Sequence, residues 1–380
     1  MKYVFIVAAI LIVQFGYTQT ESFTYLGQNP PGDTPEVFAP DLLSKTGRKE
    51  RTLTFTPDGK EIYFTVINSQ NNYAIKHFKE MNGIWQDEET APFIIQYMSN
   101  YSCLEPFISA DGSKMLFAAK LSSLNSWDYD LYMTEREGED WGQPEKLGSF
   151  INTSAGEWHP CITSNGNIYF ARDGNIYKSE YSETGYRNAV PFGTINSSSN
   201  DWDPHVDPDE NFVIFKSDRS GGYGLMDNYI SFHDKIDDTW TEPLNPGSNI
   251  NSSWIDDAGD LSPDGKYFFY SRTNNDAEMD VYWVNAEFIN SLNPYTSVKW
   301  IQSKDLLAVY PNPAENTICI EYPYLNNKEV HYEINDLNGK TIKQGKLPGN
   351  EIDVSCMSNG LYLLNIKSDG RNIINKVAIK

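Results

Sequence analysis

The chain is predicted to be all-β: a β-propeller of five blades, with six as the alternative count, followed by a small C-terminal β-sandwich. Three observations predict this. One turn-and-strand phrase recurs five times along the chain. Aromatic residues make up 14% of the 380 residues, a bias toward strands. After residue 305 the chain alternates apolar and polar positions between Asn338-Gly339, Pro348-Gly349 and Asn359-Gly360 turns.

The phrase reads Thr56-Pro-Asp-Gly-Lys-Glu-Ile-Tyr-Phe64, then Ser109-Ala-Asp-Gly-Ser-Lys-Met-Leu-Phe117, Thr163-Ser-Asn-Gly-Asn-Ile-Tyr-Phe170, Asp207-Pro-Asp-Glu-Asn-Phe-Val-Ile-Phe215 and Ser262-Pro-Asp-Gly-Lys-Tyr-Phe-Phe-Tyr270. Its third residue (Asp58, Asp111, Asn165, Asp209, Asp264) recurs at steps of 53, 54, 44 and 55. Pro presets φ for the turn, while Asp and Gly tolerate the left-handed backbone of a tight hairpin. A third strand follows at Tyr73, Tyr129, Gly174 and Asp280, and a Trp-x-x-Pro-type fourth strand at Trp141 and Trp240, weaker at Trp85. Isolated hairpins bury too little apolar surface to stand alone, whereas four-stranded blades around a ring bury it against one another. The segment Pro35–Leu43 reads as a fourth strand detached from its blade, expected to pair with strands before residue 285 and close the ring.

At the N-terminus, Lys2 precedes the apolar run Val4–Val13, with Gly16 and Thr18 as small positions and Gln19 as the new N-terminus. That pattern predicts a signal peptide over residues 1–18, too short to span a bilayer. No Cys follows it, which argues against a lipid anchor. The propeller is expected over 19–285, a linker over 286–305 and the sandwich over 306–380, with no membrane span in the mature protein. Export permits disulfides, and Cys103–Cys161 and Cys319–Cys356 are the conceivable pairs, four separate thiols being the alternative.

With 30 basic against 52 acidic residues the net charge is −22, which excludes nucleic acid as a partner. From Leu306 onward 8 basic and 8 acidic residues balance, so the negative charge belongs to the earlier part. Gly-x-Ser-x-Gly, His-Glu-x-x-His, P-loop and calcium-loop motifs are absent. Catalysis and a cofactor are therefore not expected.

One constellation carries chemistry. Eight residues before each turn residue stand Glu50, Cys103, Glu157, Asp201 and Asp256; two residues later stand Thr52, Glu105, His159, Asp203 and Ala258. With period-two alternation both sets face one side of the first strand, which in a propeller lines the channel. Glu50, Glu105, Glu157, His159, Asp201, Asp203 and Asp256 are thus the candidate ligand-binding residues at the channel mouth. Such a ring would hold a divalent cation, a basic peptide end or sugar hydroxyls; alternatively its acids bond the backbone of neighbouring blades. His159 and His205 break the symmetry. Trp158 and Trp202 fall on the opposite face, as packing between blades. The rival function is a glycosidase or lyase using Glu105, Glu157, Asp201 and Asp203.

The repeated phrase resembles the PD40 type of WD40-like propeller repeat, as in the TolB family, over roughly residues 35–285. The third unit departs with Ser-Asn-Gly and the fourth with Glu210 in place of Gly, and family propellers often have six blades. The tail is similar to the C-terminal sorting domain of the type IX (Por) secretion system of Bacteroidetes. The matching residues are Tyr310-Pro311-Asn312-Pro313, Asp336-Leu-Asn-Gly339-Lys340, Asn359-Gly360-Leu-Tyr362 and Lys376-Val-Ala-Ile-Lys380. The resemblance implies a chain handled by the type IX machinery and delivered to the cell surface or medium; the repeat, the missing nucleophile motifs and this tail together make a protein, peptide or glycan the expected ligand.

Overall fold

The computed structural model describes residues 23–68, 73–124, 126–274, 278–295, 308–321, 330–336, 339–347, 349–368 and 371–380. The expected signal peptide lies outside the described residues. Two compact units divide between Phe288 and Ile289.

The first unit is a propeller of five antiparallel blades. Their first three strands are Lys49–Phe55, Glu61–Ile67 and Tyr73–Met81 in blade 1 and Tyr101–Ile108, Lys114–Leu121 and Asp130–Glu137 in blade 2. Blade 3 has Glu157–Ile162, Ile168–Arg172 and Asn175–Ser179; blade 4 has Asp201–Val206, Phe212–Ser217 and Asp227–Asp234; blade 5 has Asp256–Leu261, Tyr267–Thr273 and Met279–Asn285. The outer strands are short fragments such as Asp140–Trp141 with Glu145–Lys146, and Val190–Pro191.

Blade 5 takes its fourth strand from the start of the chain. Glu36–Val37 pairs antiparallel with Trp283 and Tyr282, so the N-terminal segment latches the ring. Phe38, fully buried, packs edge-on against Phe269 and Trp283, and Tyr25 joins the same cluster. Separate apolar clusters lie between blades 1 and 2, 2 and 3, and 3 and 4.

Two irregularities of the repeat have local causes. The 44-residue step arises in blade 3, whose second and third strands join through Asp173-Gly174 alone, at φ of +49° and +73°. Glu210 takes the left-handed turn position, φ +57°, that glycine holds in the other blades. Its carboxylate compensates by accepting Asn167 Nδ2 at 2.8 Å and the Tyr169 hydroxyl at 2.7 Å from blade 3.

The second unit carries one sheet of Ala308–Tyr310, Thr317–Glu321 and Glu351–Asp353, and another of Thr341–Lys346, His331–Asn335, Gly360–Ser368 and Arg371–Ile379. Both contribute to one apolar core that includes Ile318, Ile334, Leu364 and Val377. Asn312 ties the final strand down: its Nδ2 donates to the Lys376 carbonyl at 3.0 Å, and its Oδ1 accepts the Ala378 N–H at 2.9 Å. Tyr310-Pro311 and Asn312-Pro313 are cis. Gly339 sits in a turn at φ +83°, the Tyr362 hydroxyl donates to the Ser358 carbonyl beside Gly360, and Lys376 and Lys380 are exposed. All four cysteines are free thiols, with Cys103 and Cys161 buried in different clusters, so neither conceivable disulfide is present.

Candidate functional site

The first strand of every blade carries a bulge. In blades 1 to 4 the register shifts at Arg51/Leu53, Leu104/Phe107, Trp158/Cys161 and Trp202/His205, and in blade 5 at Asp257/Asp260. Thr52, Glu105, His159 and Asp203 occupy it at φ of +49°, +59°, +47° and +54°. Pro106, Pro160 and Pro204 follow; proline has no N–H for the ladder and is tolerated in a strand at such a point. Blade 5 has Gly259 instead, where an added Cβ would sit 1.7 Å from the Phe269 carbonyl oxygen.

This bulge overturns the expectation of two stacked acidic rings. One extra residue breaks period-two alternation and re-aims the side chains around it. Glu105, His159 and Asp203 line an axial cavity, whereas Glu50, Glu157, Asp201 and Asp256 do not.

The four excluded acids are fully buried and bonded to the loop entering their own strand. Glu157 accepts Thr153 N–H and hydroxyl at 3.1 and 2.7 Å, Asp201 those of Ser197 at 2.6 and 2.9 Å, and Asp256 those of Ser252 at 2.6 and 2.8 Å. Arg219 and Arg272 pair with Asp201 and Asp256 at 2.7 and 2.6 Å, and Arg48 pairs with Glu50. Burial, the largest influence, pushes Glu50 up to about 7 despite Arg48, and also raises Glu157 and Asp256.

A sequence signal for this device exists: Ile151-Asn-Thr153, Ile195-Asn-Ser197 and Ile250-Asn-Ser252 each precede their acid by the same spacing. The Asn of each clamps the third strand of the preceding blade, as when Asn251 bonds both N–H and carbonyl of Asn228.

At the axis one charged network joins all five blades. His159 Nε2 lies 2.6 Å from Glu105 Oε1, 2.8 Å from Asp203 Oδ1 and 2.6 Å from the Arg51 guanidinium. Arg51 lies 3.2 Å from Asp257, and Lys216 Nζ lies 2.7 Å from both Asp203 and Asp257. Three carboxylates thus face two fixed cations and an imidazole, and a protonated His159 makes the sum zero. Burial alone would raise the Asp203 carboxyl, but His159, Lys216 and Arg51 outweigh it and hold it far below the usual carboxylate range. Burial opposes a charged His159, yet Asp203 and Glu105 outweigh that and raise it above its ordinary value.

Arg51, Lys216 and Asp257 are absent from the sequence-derived candidates, although the repeat alignment holds their signal. Arg51 and Asp257 are charged where blades 2 to 4 carry Leu104, Trp158 and Trp202. Lys216 pairs across from Trp202, where the other blades place Thr65, Ala118, Ala171 and Ser271. Trp158 packs between blades, its ring 4.5 Å from that of Tyr129.

Beside the network lies a small, partly open cavity of about 20 Å3, lined by Thr52, Phe107, His205 and Asp260 as well as Glu105, His159 and Asp203. His205 Nδ1 is 3.2 Å from Asp260 Oδ1. Asp260 accepts the Thr54 hydroxyl at 2.6 Å and the Leu261 N–H at 2.8 Å, and burial, the largest influence, raises its carboxyl. Among the described residues no group of three or more His, Cys, Asp or Glu side chains has the arrangement of a metal site. No helix among them is long and apolar enough to cross a membrane.

Residues 308–380 match the family described as the secretion system C-terminal sorting domain. A tail of this family implies export by type IX secretion to the cell surface or medium. No curated protein matches the chain. Similar solved structures include PorZ, an essential bacterial surface component of the type IX secretion system of Porphyromonas gingivalis, at 13% identity and TM-score 0.38, covering 87% of this chain. The chain spans 45% of PorZ's length. TolB from Agrobacterium tumefaciens aligns at 13% identity and TM-score 0.39 over 88% of this chain and 92% of that one. The catalytic domain of Coprinopsis cinerea GH62 α-L-arabinofuranosidase aligns at 10% identity and TM-score 0.41, covering 66% and 97%.

Proposed function

We propose that this exported propeller binds a protein, peptide or glycan ligand at the cell surface or in the medium without transforming it. The neutralised axis carries the reading. Glu105 and Asp203, the cavity carboxylates the sequence nominates, are each matched by Arg51, His159 or Lys216. Paired in this way they neither attract a divalent cation nor provide a protonated acid beside a free base. Glu157 and Asp201, the other nominated pair, support the blades rather than the cavity.

One observation favours the enzymatic alternative. Within a single cavity Asp260 is pushed up while Asp203 is held down, and separated carboxyl pKa values are how acid and base roles are divided. The test is a ligand screen by thermal shift alongside release of nitrophenol from aryl glycosides. A stabilising ligand with no turnover supports the binding reading. Turnover lost in Asp260→Asn would replace it with the glycosidase.

A further inference from the structure

We infer that the propeller face from which the chain enters its first strands takes a neutral polysaccharide, laid across the exposed rings of Trp127 and Trp254. The inference rests on the binding reading above and names its surface and ligand class.

Topology sorts the loops by face. In an antiparallel blade the chain enters the first strand and leaves the second at the same end, so the entering loops and the second-to-third loops share one face. The loops entering blades 2 to 5, residues 91–100, 148–156, 193–200 and 247–255, hold no Asp, Glu, Lys, Arg or His in a chain of net charge −22. The hairpin turns at the opposite end carry Asp58, Asp111, Asp209 and Asp264. The acids of the second-to-third loops, Asp128, Asp173 and Asp218, stand apart in different blades. They repel an anionic chain without clustering to hold a cation.

Two aromatic platforms stand on this face at equivalent junctions. Trp127, 68% exposed, closes the second-to-third loop of blade 2 against the loop entering blade 3, its ring 6.0 Å from that of Trp158. Gly156 permits this approach: an added Cβ would lie 2.4 Å from the Trp127 carbonyl oxygen and 2.7 Å from Trp158 Nε1. At the junction of blades 4 and 5 the Leu225 N–H donates to the Trp254 carbonyl at 2.9 Å. Trp254, 41% exposed, thereby stands beside the loop that carries Tyr223, 56% exposed. Exposed Ser154, Ser198 and Ser253 recur at one position of the loops entering blades 3, 4 and 5 and offer hydroxyls along the same face.

This chemistry fits a neutral sugar chain. A sugar ring presents an apolar C–H face that packs on an indole, and hydroxyls that exchange hydrogen bonds with serine; neither contact uses charge. A protein partner carries about 25% charged residues and draws on charge for steering and specificity, which the entering loops do not offer. Lys120, its Nζ 5.9 Å from the centre of the Trp127 ring, already takes one cation–π position there and repels a basic side chain. Because the platforms stand at separate junctions, a chain rather than a single sugar reaches both.

The test is affinity electrophoresis of the full chain in gels cast with xylan, glucomannan, mixed-linkage β-glucan, dextran or starch, with alginate and polygalacturonate as anionic controls. At least one neutral polysaccharide is expected to retard the protein, and neither control. Trp127→Ala and Trp254→Ala should each weaken retardation about tenfold, as loss of a ring contact does, and the double variant should abolish it. Trp127→Phe, which keeps an aromatic face, should retain most of it, and Ile236→Ala, exposed in a third-to-fourth-strand turn at the opposite end, all of it. Circular dichroism verifies that each variant is folded. Retardation unchanged in the folded double variant overturns this face. Equal retardation by alginate overturns the ligand class. No retardation by any neutral polysaccharide overturns the inference and leaves the binding reading to a protein or peptide. Release of reducing sugar from the gel polysaccharide overturns the binding reading instead.

Discussion

His159 Nε2 stands 2.6 Å from Glu105 Oε1 and 2.8 Å from Asp203 Oδ1, so one imidazole of blade 3 bridges carboxylates of blades 2 and 4. Its folded pKa is raised, burial being outweighed by those carboxylates. A group raised in the folded state stabilises fully below its unfolded value, about 6.5 for histidine, and loses that contribution as pH climbs through the folded value. Propeller stability is therefore expected to fall from pH 6 toward alkaline pH, and His159→Gln to flatten that dependence. Eight of the nine tryptophans, all but Trp300, lie in the propeller, so indole fluorescence in urea titrations follows chiefly the propeller. An unflattened slope in the variant would place the titration elsewhere.

Lys216 holds Asp203 and Asp257 together at 2.7 Å each. Lys216→Met leaves two buried carboxylates short of a cation and should cost about 3–5 kcal/mol. Adding Asp257→Asn should recover part of the loss, because residues in one network couple. Urea midpoints of the single and double variants give the coupling directly.

Asp201 is a blade fastener, bonded to Ser197 and Arg219. Asp201→Ala should cost at least about 2 kcal/mol, since hydrogen bonds to charged groups contribute about 1.5–3. Ligand affinity, measured where the variant stays folded, should not change. A selective loss of affinity would return Asp201 to the site.

Phe38 anchors the latch strand against Phe269 and Trp283. Truncating a fully buried aromatic costs about 3–5 kcal/mol, so Phe38→Ala should destabilise the propeller by that amount. Hydrogen exchange should rise first in Val281–Trp283, the strand that the latch covers. Uniform acceleration over all blades would argue against a latch.

Asn312→Ala removes both hydrogen bonds that fix the final strand of the tail. The expected cost is about 1–2 kcal/mol, read as faster amide exchange at Ala378. Unchanged exchange there would mean that the strand's pairing with Gly360–Ser368 suffices.

Much of the fold was legible in the sequence because its cues are local. The Pro-Asp-Gly turns mark each hairpin, and the aromatic strands behind them mark what each blade buries. Glu36–Val37 was legible as a strand lacking a neighbour. The site was legible only in part. Glu105, His159 and Asp203 do meet, but period-two counting grouped them with Glu50, Glu157, Asp201 and Asp256, because nothing in strand alternation announces an inserted residue. Lys216 sits within an apolar run, Phe212–Ser217, and reads there as a solvated end rather than as an axial cation.

The sequence by itself pointed to a propeller with five repeated units, six blades being the alternative count, and to the sorting tail, since each rests on local turn signals or a recurring spacing. The closure of the ring at five blades, with Glu36–Val37 on Tyr282 and Trp283, is a long-range contact that the tertiary structure supplies. Only the tertiary structure decided which charges meet. Closing the ring brings Arg51, Glu105, His159, Asp203, Lys216 and Asp257 from all five blades to one axis, and the left-handed residue in each of the first four inner strands sets which side chain points there. At that axis water is excluded, so opposite charges must satisfy one another, and the acidic ring becomes a neutral network.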